Sequence, residues 1–141
     1  MRRASSGAHA AARSDRCPML RHALLAKIHR ATVTFCEPEY MGSITIDPDL
    51  LDACGMRVSE KVLVADVDSM ARFETYVFKG ERGSGVIGVN GAAARLTKVG
   101  NRVLIMSFCI LTDEEFRTHR PRVVLVGAGN TVGSQLTYDP E

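Results

Sequence analysis

Four short clusters hold the side chains with chemical potential. Lys27 and His29 stand two residues apart, which on a strand puts a cation and an imidazole on one face. Tyr40-Met-Gly-Ser43 follows a turn and ends on a hydroxyl. Arg72-x-x-Thr75-Tyr76 places a cation, a hydroxyl and a phenol near one strand. Asn90-Gly91-Ala92-Ala93-Ala94 follows a turn signal with side chains so small that backbone N–H groups stay bare. Taken singly, each cluster also reads as ordinary architecture: a solvated strand face, edge polarity, or a tight turn with glycine at positive φ.

Common catalytic motifs are missing. The chain has no G-x-x-x-x-G-K-[ST], no H-E-x-x-H and no G-x-S-x-G. His9, His22, His29 and His119 are scattered, so no metal site is expected. Gly80–Gly85 is glycine-rich but precedes no helix, which weakens a phosphate-cradle reading. Cys17, Cys36, Cys54 and Cys109 form no C-x-x-C pair, so free thiols, three of them in apolar or turn contexts, in a reducing cytoplasm are expected.

The elements that must position these clusters are mostly strands. Residues 24–35 alternate, with Leu25, Lys27, His29, Ala31, Val33 and Phe35 on one face and Ala26, Ile28, Arg30, Thr32 and Thr34 on the other. Asp47-Pro48 caps a short helix over 48–54, and Gly55 suits its end. Strands are predicted at 61–67, 72–78, 86–89, 103–111 and 123–126, with a turn at 68–71. Thr112-Asp-Glu-Glu115 is a capping box for a helical turn that Pro121 ends. Six or seven short strands and two short helices, with no βαβ alternation, predict a small, mainly β barrel.

At 141 residues with 45% apolar content the chain supports one core, and no apolar run is long enough for a membrane helix. Residues 1–18 hold Arg2, Arg3, Arg13 and Arg16 against Asp15, so the remaining 14 basic and 15 acidic side chains make the body near neutral. A neutral body with 6% aromatics and no tryptophan offers nucleic acid neither charge nor stacking. Residues 1–18 lack a secretory apolar run; they read as a basic disordered extension, loosely as a transit peptide, or as a start assigned ahead of Met19. The domain is expected over 19–127, with a loose polar tail over 128–141.

Together the clusters resemble one family. Lys27-x-His29-Arg30, Tyr40-x-Gly42-Ser43, Arg72-x-x-Thr75-Tyr76, Glu81-Arg82-Gly83-Ser84 and Val89-Asn90-Gly91-Ala92-Ala93-Ala94 look like the aspartate 1-decarboxylases, pyruvoyl-dependent enzymes that make β-alanine for pantothenate synthesis. Asp113-Glu-Glu115 and Arg120-Pro121 also fit, and the likeness runs in order from about Met19 to Gly127. Residues 1–18 have no counterpart in it. The resemblance implies a six-stranded double-psi β-barrel and a homotetramer with active sites between subunits, in the cytoplasm. It leaves open whether a helper protein assists maturation.

The resemblance also implies a chemistry. Loss of CO₂ from Cα of L-aspartate leaves a carbanion, and a ketone that forms a Schiff base with the amine supplies the electron sink that pyridoxal phosphate supplies elsewhere. Here the ketone is a pyruvoyl group made from Ser43 after its Oγ attacks the Gly42 carbonyl; neither metal nor pyridoxal phosphate is implied. Gly-Ser bonds also occur at 83–84 and 133–134, and composition does not choose among the three. The resemblance picks Gly42-Ser43, with Tyr40 two residues before the bond. It implies Thr75 as donor to the developing oxyanion and Tyr76 as proton donor to the carbanion. Arg72 and Lys27 take the carboxylates, backbone N–H groups of Gly91, Ala92 and Ala93 with Asn90 anchor substrate, and His29 orients or desolvates. Two rivals remain: another pyruvoyl-dependent amino-acid decarboxylase, and a non-catalytic barrel that binds a ligand as one intact chain.

Overall fold

The computed structural model describes residues 17–140. The expected extension over 1–18 therefore lies outside the described residues, except for its last two. Among the described residues there are nine strands, β1 (Leu20–Thr32), β2 (Phe35–Glu37), β3 (Ile44–Ile46), β4 (Lys61–Asp66), β5 (Arg72–Lys79), β6 (Ile87–Asn90), β7 (Arg102–Thr112), β8 (Arg122–Val126) and β9 (Val132–Leu136), and two short α-helices, α1 (Pro48–Cys54) and α2 (Asp113–Thr118). The protein is mainly β, as expected. The strands pair in the order β2-β6-β3-β5-β4-β7-β1-β8-β9, whose two ends are not hydrogen-bonded to each other. The ladder is thus nine strands with free ends, not the expected six-stranded closed barrel. The expected strand count fell short because β2 and β3 have three residues each, too short to show a period.

The end of the chain differs from expectation as well. Past Gly127 the polar stretch forms a 3₁₀ turn over Ala128–Asn130 and then β9, antiparallel to β8. Asn130 secures it. Its Oδ1 accepts from Thr32 N–H at 2.8 Å, and its Nδ2 donates to the carbonyls of Thr32 and Gly85, each at 2.7 Å. Backbone pairing and one buried amide order this stretch without apolar periodicity.

Local chemistry explains both helices. Asp47 accepts from Asp49 N–H at 2.9 Å, Pro48 occupies the first turn, and Gly55 at φ +81° ends α1 with its N–H on the Leu51 carbonyl. Leu50, Leu51 and Cys54 turn inward. Thr112 and Glu115 close the capping box of α2.

β1 shows why simple alternation fails. Its pairing with β7 slips between Leu24 and Ala26 and again between His29 and Ala31, where Arg30 sits at φ +63°. Each bulge reverses the phase of the residues beyond it. Ala26 and Ile28 point inward before the second bulge, Ala31 and Val33 after it. Ala31 and Val33 therefore do not share a face with Lys27, contrary to the plain alternation. The core holds Ile28, Ile44, Ile46, Leu50, Ile87 and Ile105, all fully buried. Each contributes about 1.5–3 kcal/mol by burial. Of the four free cysteines only Cys54 is buried; Cys36 and Cys109 are half-buried and Cys17 is exposed.

Candidate active site

The segment from β2 to β3 is a hook. Tyr40 N–H reaches the Glu37 carbonyl at 3.3 Å, and Gly42 N–H the Tyr40 carbonyl at 2.8 Å. Two successive residues then take positive φ: Gly42 at +100° and Ser43 at +97°. Glycine adopts this freely; serine carries a Cβ and is strained there, at a cost of about 1–3 kcal/mol. Ser43 is nevertheless 1% exposed, whereas Met41 beside it is 90% exposed. The bond between Gly42 and Ser43 marks the boundary between a loop in water and a residue locked into the sheet.

Asn90, the last residue of β6, does the locking. Its N–H donates to the Ser43 carbonyl at 3.0 Å. Its Nδ2 donates to Ser43 Oγ and to Thr45 Oγ1, each at 3.1 Å. Gly91 follows at φ +74°, and a Cβ there would meet Gly42 Cα at 2.7 Å and Gly42 N at 2.8 Å. Only glycine allows the β6 turn to press against this bond. The chain then makes a 3₁₀ turn over Gly91–Arg95, which leaves Ala92 exposed and Ala93 half-buried.

These pieces line an open cleft of about 440 Å³. It gathers Tyr40, Gly42 and Ser43 from the hook, Thr75 and Tyr76 from β5, and Asn90 to Ala93 from the β6 turn. Pro38, Met41 and Glu74 complete the lining, although no sequence motif marked them as site residues. Glu74 was legible, since it lies between Arg72 and Tyr76 at the two-residue period of one strand face. It is the only side chain among the cleft-lining residues that is charged at neutral pH, and its Oε2 pairs with Lys61 Nζ at 2.8 Å.

Lys27, His29 and Arg72 lie outside this cleft. The register aligns Arg72 with Ala65, Ala65 with Leu104, and Leu104 with His29, so all four share one face. The next row runs from Glu74 through Leu63 and Met106 to Lys27. Three strand spacings, about 14 Å, separate Arg72 from His29. Arg72 donates to the Met70 carbonyl at 3.1 Å. Burial, then the charges of Lys27 and Arg30, push the His29 imidazole below its ordinary pKa, and its buried Nδ1 has no hydrogen-bond partner.

Among the described residues no group of three or more His, Cys, Asp or Glu is placed to hold a metal ion, and no helix is long and apolar enough to cross a membrane. The arrangement offers a buried serine hydroxyl beside a strained glycyl bond, amide donors around it, and a phenol facing the same space.

Comparison with known proteins points the same way. The aspartate decarboxylase family model matches residues 19–133. An aspartate 1-decarboxylase of Caldicellulosiruptor saccharolyticus is 54% identical over 114 residues, 81% of this chain and 89% of that protein. Those of Bacillus licheniformis and Neisseria meningitidis serogroup C are 48% and 49% identical over 122 residues, 86% of this chain and 96% of each relative. With most of its length matched by the family model and by relatives near half identity, the chain belongs to the aspartate decarboxylase family.

Proposed function

We propose that the chain cleaves itself between Gly42 and Ser43 and then decarboxylates L-aspartate to β-alanine and CO₂, the carboxy-lyase step that feeds pantothenate synthesis. Family membership supports the reaction; one observation supports the site. Of the three Gly-Ser bonds, only Gly42-Ser43 has its serine at positive φ. That strain is relieved when the bond breaks, and Asn90 holds Ser43 Oγ meanwhile.

Cleavage proceeds in balanced steps. Ser43 Oγ attacks the Gly42 carbonyl carbon, the C–N bond breaks and an ester forms. Loss of the Ser43 α-proton expels the Gly42 carboxylate and leaves dehydroalanine. Water then replaces the nitrogen, ammonia leaves, and residue 43 ends as a pyruvoyl group. Thr75 lines the cleft as donor to the oxyanion formed in the first step. The surroundings fit a ketone at this position: amide donors from Asn90, small neighbours at Gly91, Ala92 and Ala93, and an open cleft. That ketone supplies a sink for the electron pair left when CO₂ departs.

The chain's own side chains bind and protonate. Tyr76 holds the proton for Cα. Arg72 takes the β-carboxylate and Lys27 lies near the α-carboxylate. A strong ion pair to the departing carboxylate would stabilise the ground state, since its charge vanishes on CO₂ loss. Because Arg72, Lys27 and His29 lie outside the cleft of their own chain, they serve a cleft in a second copy. Half-buried Leu63, Ala65, Leu104 and Met106 lie between them, an apolar field suited to a subunit contact in a homotetramer. A double-psi barrel like the family's would bring together the two ends of this pairing order. Only Val33 and Thr34 separate β1 from β2, and Thr34 N–H bonds the Ile87 carbonyl at 2.7 Å. Thus strands far apart in the pairing order are covalent neighbours.

Intact mass under denaturing conditions tests the reading. Two chains should appear, ending at Gly42 and beginning at residue 43, the latter lighter by one ammonia than a serine-ended chain. One intact chain without carbonyl reactivity would leave a binding module instead.

A further inference from the structure

The cleft around Ser43 poses a charge problem. The proposed substrate brings two carboxylates, yet the only side chain charged at neutral pH among the cleft-lining residues is an acid, Glu74. It projects from β5 on the same face as Tyr76. Left unanswered, its carboxylate repels a dicarboxylate in the cleft.

Lys61 answers it. Lys61 opens β4 directly opposite Tyr76 and diagonal to Glu74, with Nζ 2.8 Å from Glu74 Oε2. The pair forms a ridge: both residues also line the neighbouring hollow with His22, Leu63 and Phe108, and Glu74 alone faces both spaces. The pair adds little to folding stability, because the two side chains are 71% and 61% exposed. Its importance lies in where it stands.

We propose that Lys61 is a specificity-determining residue: it neutralises Glu74 and so admits an acidic amino acid to the Ser43 cleft. The proposal rests on the aspartate reading of the same site. Lys61 acts through Glu74 on the approach and binding of a dicarboxylate, not on the breaking bond. It therefore moves KM and leaves kcat in place.

The test is steady-state kinetics on self-cleaved protein at low salt, with Lys98→Gln as a charge-matched control outside the cleft lining. Lys61→Gln should raise KM for L-aspartate about two- to fivefold, the reach of one exposed charge pair. Lys61→Arg should retain the wild-type KM, and adding Glu74→Gln to Lys61→Gln should restore it. Glu74→Gln alone should lower KM, which keeps the test open if a Lys61 variant fails to fold. The Lys61→Gln effect should shrink in about 0.5 M salt. Competitive inhibition by succinate should weaken more than inhibition by its monoamide. An unchanged KM in both Lys61→Gln and Glu74→Gln, or a fall in kcat in place of the KM change, overturns the proposal. So does a double variant as poor as Lys61→Gln. A wild-type protein that cleaves but leaves aspartate untouched fails the aspartate reading itself, before any variant is compared.

Discussion

The hook around Ser43 and the face bearing Lys27, His29 and Arg72 belong to one sheet but differ in completeness. Around Ser43 the surrounding groups come from the same chain: Asn90 on Oγ and on the carbonyl, Gly91 against Gly42, Thr75 and Tyr76 in the same cleft. The cationic face is complete in nothing. His29 Nδ1 lacks a partner, Arg72 rests on the Met70 carbonyl, and about 14 Å separates the two along the row they share. The difference teaches a division of labour. On the proposed reading, self-cleavage draws on groups of one folded chain, whereas turnover also draws on Lys27, His29 and Arg72, which do not line that chain's cleft.

The largest test of that division is Ser43→Ala, which removes the attacking oxygen and nothing else. It should remain one uncleaved chain by denaturing gel, with no decarboxylase activity. Cleavage in that variant would move the attacking group elsewhere, Ser84 being the next Gly-Ser candidate.

Tyr76→Phe sharpens the comparison from inside the cleft. The ring still packs and only the hydroxyl is lost. Cleavage should be normal, and L-aspartate should still be trapped on the larger chain by borohydride. Turnover should fall by about 10²–10⁴, the usual contribution of a positioned proton donor. Wild-type turnover would remove Tyr76 from that role and turn attention to water or His29.

Arg72→Ala breaks the cationic face. It should cleave fully and lose about 10²–10³ in turnover, the size of effect expected when one partner of a buried charge pair is truncated. Mixing then reads the geometry. Ser43→Ala supplies Arg72, and Arg72→Ala supplies the cleft. Equal co-expression should restore about a quarter of the sites if each site joins two copies at random. No recovery would mean that Arg72 serves the cleft of its own chain.

How much of this was legible in the residues depends on range. Helix α1 could be read from Asp47-Pro48 and Gly55, and α2 from Thr112 and Glu115, because caps act within a few residues. The phase of β1 was lost, because a bulge at Arg30 leaves no mark in an alternating pattern. β9 carries no apolar alternation; the Asn130 amide, bonded to residues 98 and 45 positions away, orders that end. The cleft draws on three separate segments, and spacing alone does not join Tyr40–Ser43 to Thr75–Tyr76 or to Asn90–Ala93. Only the order of all five motifs did so, through likeness to a family. The double hydrogen bonding of Asn90 needed the fold itself.

Asn90→Ala probes the hook with a smaller effect. It removes the Nδ2 donor to Ser43 Oγ and Thr45 Oγ1 but keeps the backbone bond to the Ser43 carbonyl. Two neutral hydrogen bonds of about 0.5–1.5 kcal/mol each should slow cleavage by roughly one to two powers of ten. Thr75→Ala should likewise slow chain cleavage first. Cleavage at the wild-type rate in both would show that Ser43 needs no such positioning.

The smallest effect tests the frame that the two regions share. Asp47, just past β3, is 3% exposed and braces α1 against the 83–85 loop. It accepts from Asp49 N–H at 2.9 Å, Gly83 N–H at 3.1 Å and Gly85 N–H at 2.7 Å. Burial alone would push its carboxyl up. The three N–H donors and the nearby Arg82 charge outweigh that and hold it below the ordinary carboxylate range. A carboxyl depressed in the folded state contributes stability that is complete above its unfolded pKa, about 3.9, and is lost as pH falls through the folded value. Asp47→Asn turns an amide toward N–H groups and should cost about 1–3 kcal/mol at pH 7. Urea unfolding of the two proteins should show a gap that is constant from pH 7 to about pH 5 and narrows below about pH 4. The extent of chain cleavage at neutral pH should not change, since Asp47 touches neither the hook nor the cationic face. A gap independent of pH would mean that the Asp47 carboxylate is not what braces the frame, and a cleavage defect would tie that frame to the strained bond.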